Sequence, residues 1–331
     1  MTAPRNFEPE DPKGLICAFR LAPLAACGVE VLKEGEDRAP VWLHFNVADS
    51  RARHWLTSHA ALPEVAERVL LEAHPAVQAL KVDGGFLLVL ADLRYDFHAD
   101  PEGFGELRVY LESTRMITTR VRPLKTVDLL RRKLSEEAEL DGSAALDMFR
   151  LLVESSVEAF AEVARQLSEQ LDDSEDRILA DEYRSEASTL GSLRRVLARL
   201  RRHLNANRAV LARAPDALVD RADAEWRRRL RATVERLDAV GQDLELVQER
   251  ARLLQDEIAA RLTEVTNRSL FVLSVVTTAL LPITLLTGVF GMNVGGLPWA
   301  AHPHGFARVT LVMLLALVLA LILLRRSMLR P

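Results

Sequence analysis

The sequence predicts an α+β cytoplasmic domain, then a long stalk helix and two C-terminal transmembrane helices. Three observations support this fold class. Residues 1–265 are highly charged, whereas residues 267–331 are nearly apolar. Strand-like and helix-like runs alternate up to about Arg122. Two uncharged spans, at about 269–290 and 309–324, each approach the roughly 20 apolar residues that cross a bilayer as a helix.

Composition excludes several classes of function. The net charge of −4 gives no reason to expect a nucleic-acid partner. Cys17 and Cys27 are the only cysteines, and their spacing lacks the partners of a structural zinc site. We find no catalytic constellation, so we expect neither an enzyme nor a covalently bound cofactor. The N-terminus has no apolar core for a signal peptide, which predicts that the charged part stays in the cytoplasm.

Residues 1–123 form the predicted N-terminal α/β domain. Asp83-Gly84-Gly85 is a hairpin signal between two apolar runs. Helical spacing over Arg51–Leu62 and Pro63–Ala73 places two helices between the second and third strands. The six predicted strands are Leu15–Leu21, Val41–Val47, Val77–Val82, Phe86–Leu93, Leu107–Leu111 and Met116–Val121.

The histidines of this domain raise the question of a metal site. His54 and His59 are five residues apart, and this spacing does not stack two ligands on one helical face. Ordinary surface or core histidines therefore explain them better than metal ligands do. The five residues considered are His44, His54, His59, His74 and His98.

Residues 124–216 are predicted to be helical, with breaks near Asp141-Gly142, Gly191 and Ala214-Pro215. The predicted helices are Leu124–Glu139, Ala144–Ala187 and Leu190–Arg213. Their acidic and basic residues occur in blocks, which is typical of solvated faces that pair across hairpins. An alternative is a divalent-cation site on the acidic face. Its candidates are Asp172, Asp173, Glu175 and Asp176.

The cytoplasmic stalk is assigned to residues 217–268, at the start of a helix without proline before Pro282. Apolar residues recur there by alternating steps of three and four, which predicts a heptad seam. We expect this seam to pack on other helices, with copies of itself as the expected partners. Its members are Leu237, Val240, Leu244, Val247, Ala251, Leu254 and Ile258.

The membrane part is divided into a first span at 269–290, an external loop at 291–305, a second span at 306–324 and a tail at 325–331. The loop has no Lys or Arg, whereas Arg268 precedes the first span and three arginines follow the second. By the positive-inside rule, both termini are cytoplasmic. We expect a multi-pass protein of the inner (plasma) membrane. Arg308 is the one residue that argues for the opposite orientation.

Two membrane helices cannot enclose a water-filled path, so any conduction requires symmetric assembly. One stripe of the first span carries small and hydroxyl-bearing side chains among leucines. Such residues also mark helix–helix contacts, and the stripe alone does not separate the two explanations. Its members are Leu270, Ser274, Thr277, Leu281, Thr284 and Gly288.

A short motif ends the first span. Gly291-Met292-Asn293, after a very long helix, resembles the Gly-Met-Asn signature of the CorA family of divalent-cation transporters. The continuation Val294-Gly295-Gly296-Leu297-Pro298-Trp299 is more similar to the zinc-transport (ZntB) branch than to the magnesium branch. The resemblance is specific in the motif and architectural over the rest of the chain.

This resemblance implies a funnel-shaped homopentamer in the lipid bilayer, whose first span lines the pore. Gly291, Met292 and Asn293 would form the selectivity filter. Asp256 would stand at a cytoplasmic acidic ring, although a stalk salt bridge explains it at least as well. The implied pore-lining residues are Asn267, Leu270, Leu273, Ser274, Thr277, Leu281, Thr284 and Gly288.

The transported cation is predicted to be Zn²⁺, with Mg²⁺, Co²⁺, Ni²⁺ and Cd²⁺ as other candidates. His302 and His304 offer imidazole, which suits Zn²⁺, and the loop has no acid to attract Mg²⁺. Asn293, His302, His304 and Asp256 are thus the candidate metal ligands. Neither span contains Asp, Glu or His, yet the ZntB resemblance implies uptake coupled to protons.

Two alternatives remain open at this point. A CorA-type channel for magnesium, cobalt or nickel, gated by cations on acidic cytoplasmic surfaces, shares the motif. A membrane-anchored coiled-coil scaffold would use the two spans only as an anchor, and it leaves Gly291-Met292-Asn293 without a role.

Overall fold

The computed structural model describes residues 14–21, 24–26, 40–95, 103–135, 144–218, 220, 222–292, 297–299 and 303–328. Cys27, His98, Asn293 and His302 lie outside these residues. The chain forms two compact units, Met1–Gln255 and Asp256–Pro331, and each is described by itself.

The first unit is built on one seven-stranded sheet with the strand order β2-β1-β3-β7-β6-β5-β4. Among the strands that the structure describes, only β3 and β7 pair in parallel, and the other neighbours are antiparallel. All six predicted strands are confirmed, and the short strand β2 was not predicted. The strands are β1 (Leu15–Leu21), β2 (Leu24–Ala26), β3 (Val41–Asn46), β4 (Gln78–Val82), β5 (Gly85–Leu93), β6 (Phe104–Leu111) and β7 (Arg115–Arg120).

The predicted hairpin joins β4 to β5, where Val82 pairs with Gly85. Gly84 has φ +74, in the left-handed region that favours glycine, and this explains the Gly at this turn.

Two helices lie between β3 and β4, as predicted: α1 (Ser50–Ser58) and α2 (Glu64–Leu71). Both pack on one face of the sheet. Asp49 caps α1, since its side chain accepts a hydrogen bond from Arg51 N. Trp55 of α1 stacks on Phe45 of β3 with ring centroids 4.9 Å apart. Apolar side chains of α1 and α2 pack with those of the sheet on this face to form a core.

Helices α3 (Lys125–Ser135), α4 (Ala144–Leu179) and α5 (Tyr183–Leu211) also contact the sheet. Strands β3 and β7 carry buried polar groups. The Trp42 indole N–H donates to Thr118 Oγ1 over 2.8 Å, and His44 Nδ1 lies 2.7 Å from the same oxygen. His44 is therefore a buried core residue, and its Nε2 has no hydrogen-bond partner among the described residues.

The break between α4 and α5 differs from the prediction, which extended one helix to Ala187 and placed the break near Gly191. The chain turns at Asp181, which has φ 71. Glu182 N donates to Arg177 O and Asp181 N to Ile178 O, which is a Schellman motif. An Asp occupies the position where glycine is usual, so the sequence carried no glycine signal there.

Helix α7 runs from Ala224 to Phe290, after the short helix α6 (Ala214–Ala217). It begins seven residues later than predicted, because Asp223 Oδ1 accepts from Trp226 N and caps its first turn.

The heptad seam of α7 is buried inside a single chain, so the expectation that copies of the chain cover it is wrong. Leu237, Leu244 and Ala251 are at most 1% exposed. Helix α5 packs on this part of α7: a Cβ on Gly241 would lie 3.2 Å from Leu204 Cδ2. Glycine therefore permits a close approach of the two helices.

The second unit contains the end of α7 and helix α8 (Gly305–Met328). By length and composition, α7 includes a segment able to cross a membrane, and none of that segment is buried in the chain. Within the described residues, Gly305–Ala320 is a shorter apolar helical segment.

Candidate functional site

The predicted pore stripe lies on an uncovered face of α7. Leu270 is 57% exposed, and Leu273 and Leu281 are each 62% exposed. Ser274, Thr277 and Thr284 are exposed as well. A Cβ on Gly288 would meet nothing within 4 Å. Nothing in the described chain covers these positions.

The half-buried positions of the same segment point the other way. At 3.6 residues per turn, their mean direction is about 170° from that of the stripe. Helix α8 has its own half-buried apolar positions, including Val309, Met313 and Leu317. We infer that α7 packs on α8 through one face and leaves the stripe free. The half-buried residues of α7 are Val275, Ala279, Pro282, Ile283, Leu286 and Phe290.

The two threonine hydroxyls of this stripe donate their protons to the helix backbone. Thr277 Oγ1 donates to Leu273 O over 2.9 Å, and Thr284 Oγ1 donates to Leu280 O over 3.0 Å. A hydroxyl has one donor and two acceptor lone pairs. The outward-facing oxygens therefore present acceptors, which suit the hydrogens of water molecules around a cation.

The two other predicted positions on α7 continue the stripe. Asn267 and Asp256 are exposed. Counted at 3.6 residues per turn, both lie within about 60° of the stripe direction. An exposed line of candidate residues thus runs along α7 from Asp256 to Gly288.

The motif follows directly on the end of α7. Gly291 N donates to Thr287 O over 2.9 Å, and Met292 N donates to Val289 O over 3.3 Å. Met292 is 54% exposed. Asn293 and His302 lie outside the described residues, and the exposed His304 immediately precedes α8.

The acidic candidates on α4 are partly paired within the chain. Arg250 Nη2 of α7 lies 2.7 Å from Asp172 Oδ1 and 2.7 Å from Glu175 Oε2. These hydrogen bonds, first to Glu175 and then to Asp172, raise the pKa of Arg250. A guanidinium thus occupies the position between two carboxylates that a divalent cation would need.

Among the described histidines, His54 and His59 are the one pair whose rings lie close together, with centroids 6.2 Å apart. His74 lies 3.5 Å from Glu106. Among the described residues, no three His, Cys, Asp or Glu side chains are arranged to hold a metal ion.

Two exposed leucines of α7 form an apolar surface that was not predicted from the sequence. Leu246 and Leu253 of α7 are 66% and 58% exposed. They are seven residues apart and lie beside the buried seam. Their spacing was a usable signal, but it was hidden because the seam itself accounted for the heptad pattern.

The chain is similar to known proteins. The family model described as a CorA-like Mg²⁺ transporter protein matches residues 37–326. The divalent cation transporter CmaX of Pseudomonas aeruginosa is 34% identical over 271 residues, which are 80% of each chain. The zinc transport protein ZntB of Pectobacterium carotovorum is 28% identical over 270 residues, which are 81% of each chain.

A solved structure extends the likeness to the whole fold. The structure of the full-length CmaX protein is similar to this chain with a TM-score of 0.77 at 28% identity, over 96% of this chain and 99% of that one. The family match spans both compact units, and the family consists of ion transporters rather than enzymes. The prediction from Gly291-Met292-Asn293 is therefore confirmed at the level of the family, and the chain is a divalent-cation transporter of the CorA family.

Proposed function

We propose that the protein takes up Zn²⁺ across the inner membrane through a pore formed by five copies of the chain. The observation that carries this proposal is the uncovered stripe of α7, which lies opposite the half-buried face. The hydroxyl oxygens of Thr277 and Thr284 keep acceptor lone pairs that lipid cannot satisfy, whereas water in a shared path can. Five such helices around an axis would place every stripe on the pore.

The pore would combine acceptor rings with apolar rings. Thr277 and Thr284 would accept hydrogen bonds from the hydration shell of the cation, since their own protons are bound by the backbone. Leu273 and Leu281 would form constrictions that close by excluding water. The cation would then pass with much of its first shell of water intact.

The filter would be formed by Gly291, Met292 and Asn293 at the outer end of α7. A ring of neutral amide oxygens from Asn293 would hold a hydrated cation without removing its first shell. Asn267 would line the inner mouth, and Asp256 would contribute an acidic ring on the cytoplasmic side.

Subunit contacts in the cytoplasm would use the exposed leucines of α7. The buried seam is already covered within the chain, whereas Leu246 and Leu253 are the most exposed large apolar residues described between 224 and 268 and are free to contact a neighbouring copy. Apolar residues seven apart on a helix pack well against another helix. Exposure of both above half supports this assignment.

The choice of zinc is supported by two observations. The ZntB relative is named for zinc transport. His302 and His304 give the outer loop imidazole donors, which suit Zn²⁺ better than Mg²⁺, and the loop has no carboxylate. These two histidines would capture the ion at the outer mouth.

The proposed topology places both termini in the cytoplasm and residues 291–305 outside. The supporting observation is the distribution of basic residues, with none in that loop and three after the second span. We further propose that uptake is coupled to an inward proton gradient. Because the spans contain no Asp, Glu or His, protons would pass through the water-filled pore or act on His302, His304 or cytoplasmic carboxylates.

The alternative is a channel for magnesium, cobalt or nickel, in keeping with the description of the family model. Gating by cations on the acidic face of α4 is less favoured, since Arg250 already binds Asp172 and Glu175. A scaffold that uses the membrane helices only as an anchor does not account for the match to a transporter family over residues 37–326.

Competitive flux measurements test the proposal. Purified protein in sealed proteoliposomes receives Zn²⁺ and Mg²⁺ together, and each influx is followed with a selective dye. We expect Zn²⁺ influx to exceed Mg²⁺ influx, to rise with an inward proton gradient, and to be lost in Asn293→Ala. The matched control is Asn205→Ala, at an exposed position on α5. Magnesium influx that exceeds zinc influx would support the alternative.

A further inference from the structure

Asp92 is a buried carboxylate that the transport path does not use. It lies near the end of β5 and is 0% exposed. Its Oδ1 accepts hydrogen bonds from Leu93 N and from Thr126 Oγ1, both over 2.7 Å. Its Oδ2 is buried and has no hydrogen-bond partner among the described residues. A buried anion with one unpartnered oxygen is unstable relative to its protonated form.

Ala91, the residue before Asp92, joins the sheet to α5. Asn207 Oδ1 accepts from Ala91 N over 2.9 Å, and Asn207 Nδ2 donates to Ala91 O over 2.7 Å. The pairing of β4 with β5 ends at Val89. The Asn207 amide therefore replaces a strand partner for the end of β5.

Asp92 contacts α3 directly, and the adjacent residue Ala91 contacts α5. Thr126 belongs to the first turn of α3, and Asn207 belongs to α5. The next residue on α5, Arg208, is ion paired with Asp238 of α7. The protonation state of Asp92 can therefore affect the region where β5, α3 and α5 meet. Arg208, which contacts α7, follows Asn207 in this region.

The charges around Asp92 do not compensate its negative charge. Lys125 of α3 favours the ionised form, but desolvation is the larger effect, and burial raises the pKa of Asp92 to about 7. Arg120 of β7 also acts on this region, and its own pKa is lowered by burial. The other titratable groups that act on Arg120 or on the nearby His44 are Cys17, Asp128 and Arg131.

We propose that Asp92, Thr126 and Asn207 form a proton-responsive junction in the cytoplasmic unit. Protonated Asp92 holds the ends of β5, α3 and α5 together, and loss of the proton leaves a buried anion that loosens them. This inference is independent of the cation and of the pore.

The sign of the effect follows from linkage. The pKa of Asp92 is raised from 3.8 to about 7 in the fold. Between these values the folded chain holds a proton that the unfolded chain has lost. Stability therefore falls as pH rises from about 4 to about 7 and is flat above that. His44 acts in the opposite direction below 6.5, since burial lowers its pKa. The contribution of Asp92 to the pH dependence of stability is therefore measured as the difference between wild type and Asp92→Asn.

Hydrogen exchange of the full chain in detergent micelles tests the junction at pH 6 and pH 8. The ionised fraction of a group with a pKa of about 7 rises about tenfold between these values. After correction for the chemical exchange rate, we expect the opening of peptides that contain Leu93 and Leu130 to rise by about the same factor. Asp92→Asn removes this rise. Asp173→Asn, an exposed control on α4, keeps it.

A second variant keeps the test independent of how well Asp92→Asn folds. Thr126→Val removes a hydrogen bond to the carboxylate at nearly constant volume, so the midpoint of the pH response should move upward. An unchanged midpoint in Thr126→Val would overturn the proposal. An undiminished response in Asp92→Asn would overturn it as well.

Discussion

Arg250 Nη2 lies 2.7 Å from Asp172 Oδ1, so an ion pair connects α7 to α4. Glu175, three residues further on α4, lies at the same distance from the same nitrogen. The acidic sequence around both carboxylates made them candidate cation ligands, and the structure instead gives them an internal cationic partner. Two of the four acidic residues that suggested a metal-binding surface thus accept hydrogen bonds from an arginine of α7.

Replacing Arg250 tests this role. Arg250→Ala should lower the stability of the folded chain by about 1 kcal/mol, because the guanidinium is partly exposed and solvent screens its two ion pairs. The loss should shrink as salt is added, since salt screens such pairs. Thermal unfolding in detergent at two salt concentrations measures both effects.

The matched control for this prediction is Arg252→Ala, at an exposed position two residues further along α7. It should leave the unfolding temperature nearly unchanged. Equal losses in the two variants would show that the contact with Asp172 and Glu175 contributes no stability of its own.

Asn207→Ala should have a larger effect than Arg250→Ala. The change leaves Ala91 N and Ala91 O buried without their partners, and each unsatisfied group costs about 1–3 kcal/mol. We therefore expect a loss of about 3 kcal/mol or a chain that does not fold stably. Asn205→Ala, at an exposed position on the same helix, should change stability by less than about 0.5 kcal/mol. Denaturant unfolding of the two variants decides; similar values would contradict the role of Asn207.

The local signals in the sequence predicted the strands and most helices well. Apolar runs bounded by Gly, Pro or Asp located six of the seven strands. The break at Asp181 was not predicted because an Asp, and not a glycine, adopts the left-handed conformation there. Gly191, used instead as the break, lies inside α5, where a Cβ would have no neighbour closer than 3.9 Å.

Long-range partners could not be predicted in the same way. The heptad spacing of α7 showed that a seam exists, but it carried no information on whether α5 or another copy covers it. Asp92 gave only a weak signal, as a single acid in the apolar run Phe86–Leu93. Its significance depends on Thr126, which is distant in sequence. The stripe of α7 was predictable from spacing, whereas its exposure required the structure.

His44 should make the chain sensitive to acid. Burial lowers its pKa well below 6.5, so the unfolded chain binds a proton there more readily than the folded chain does. Its neutral form stabilises the fold fully above 6.5, and this contribution decreases as pH falls below that value. His44→Gln should weaken the drop in unfolding temperature between pH 6.5 and pH 5. The exposed control His54→Gln should retain it, and an equal weakening in both would contradict the assignment.

Leu281 tests the proposed apolar constriction. Leu281→Ser would let water enter the constriction at that level, so resting cation leak should increase by about tenfold. Val272→Ser is the control, because Val272 is also exposed, at 55%, and lies about 160° from the stripe direction at 3.6 residues per turn. Leak of Zn²⁺ from loaded proteoliposomes measures the difference. A larger leak in Val272→Ser than in Leu281→Ser would place the constriction on another face of α7.

Thiol accessibility tests most directly whether the stripe of α7 faces the path of the cation. In a background with Cys17 and Cys27 replaced by Ala, Thr277→Cys and Ala279→Cys are each treated with a charged, membrane-impermeant thiol reagent during Zn²⁺ flux. Thr277 lies on the stripe and Ala279 on the half-buried face. Our account predicts that the reagent blocks flux in Thr277→Cys and leaves flux in Ala279→Cys intact. Block of Ala279→Cys with continued flux in Thr277→Cys would contradict it.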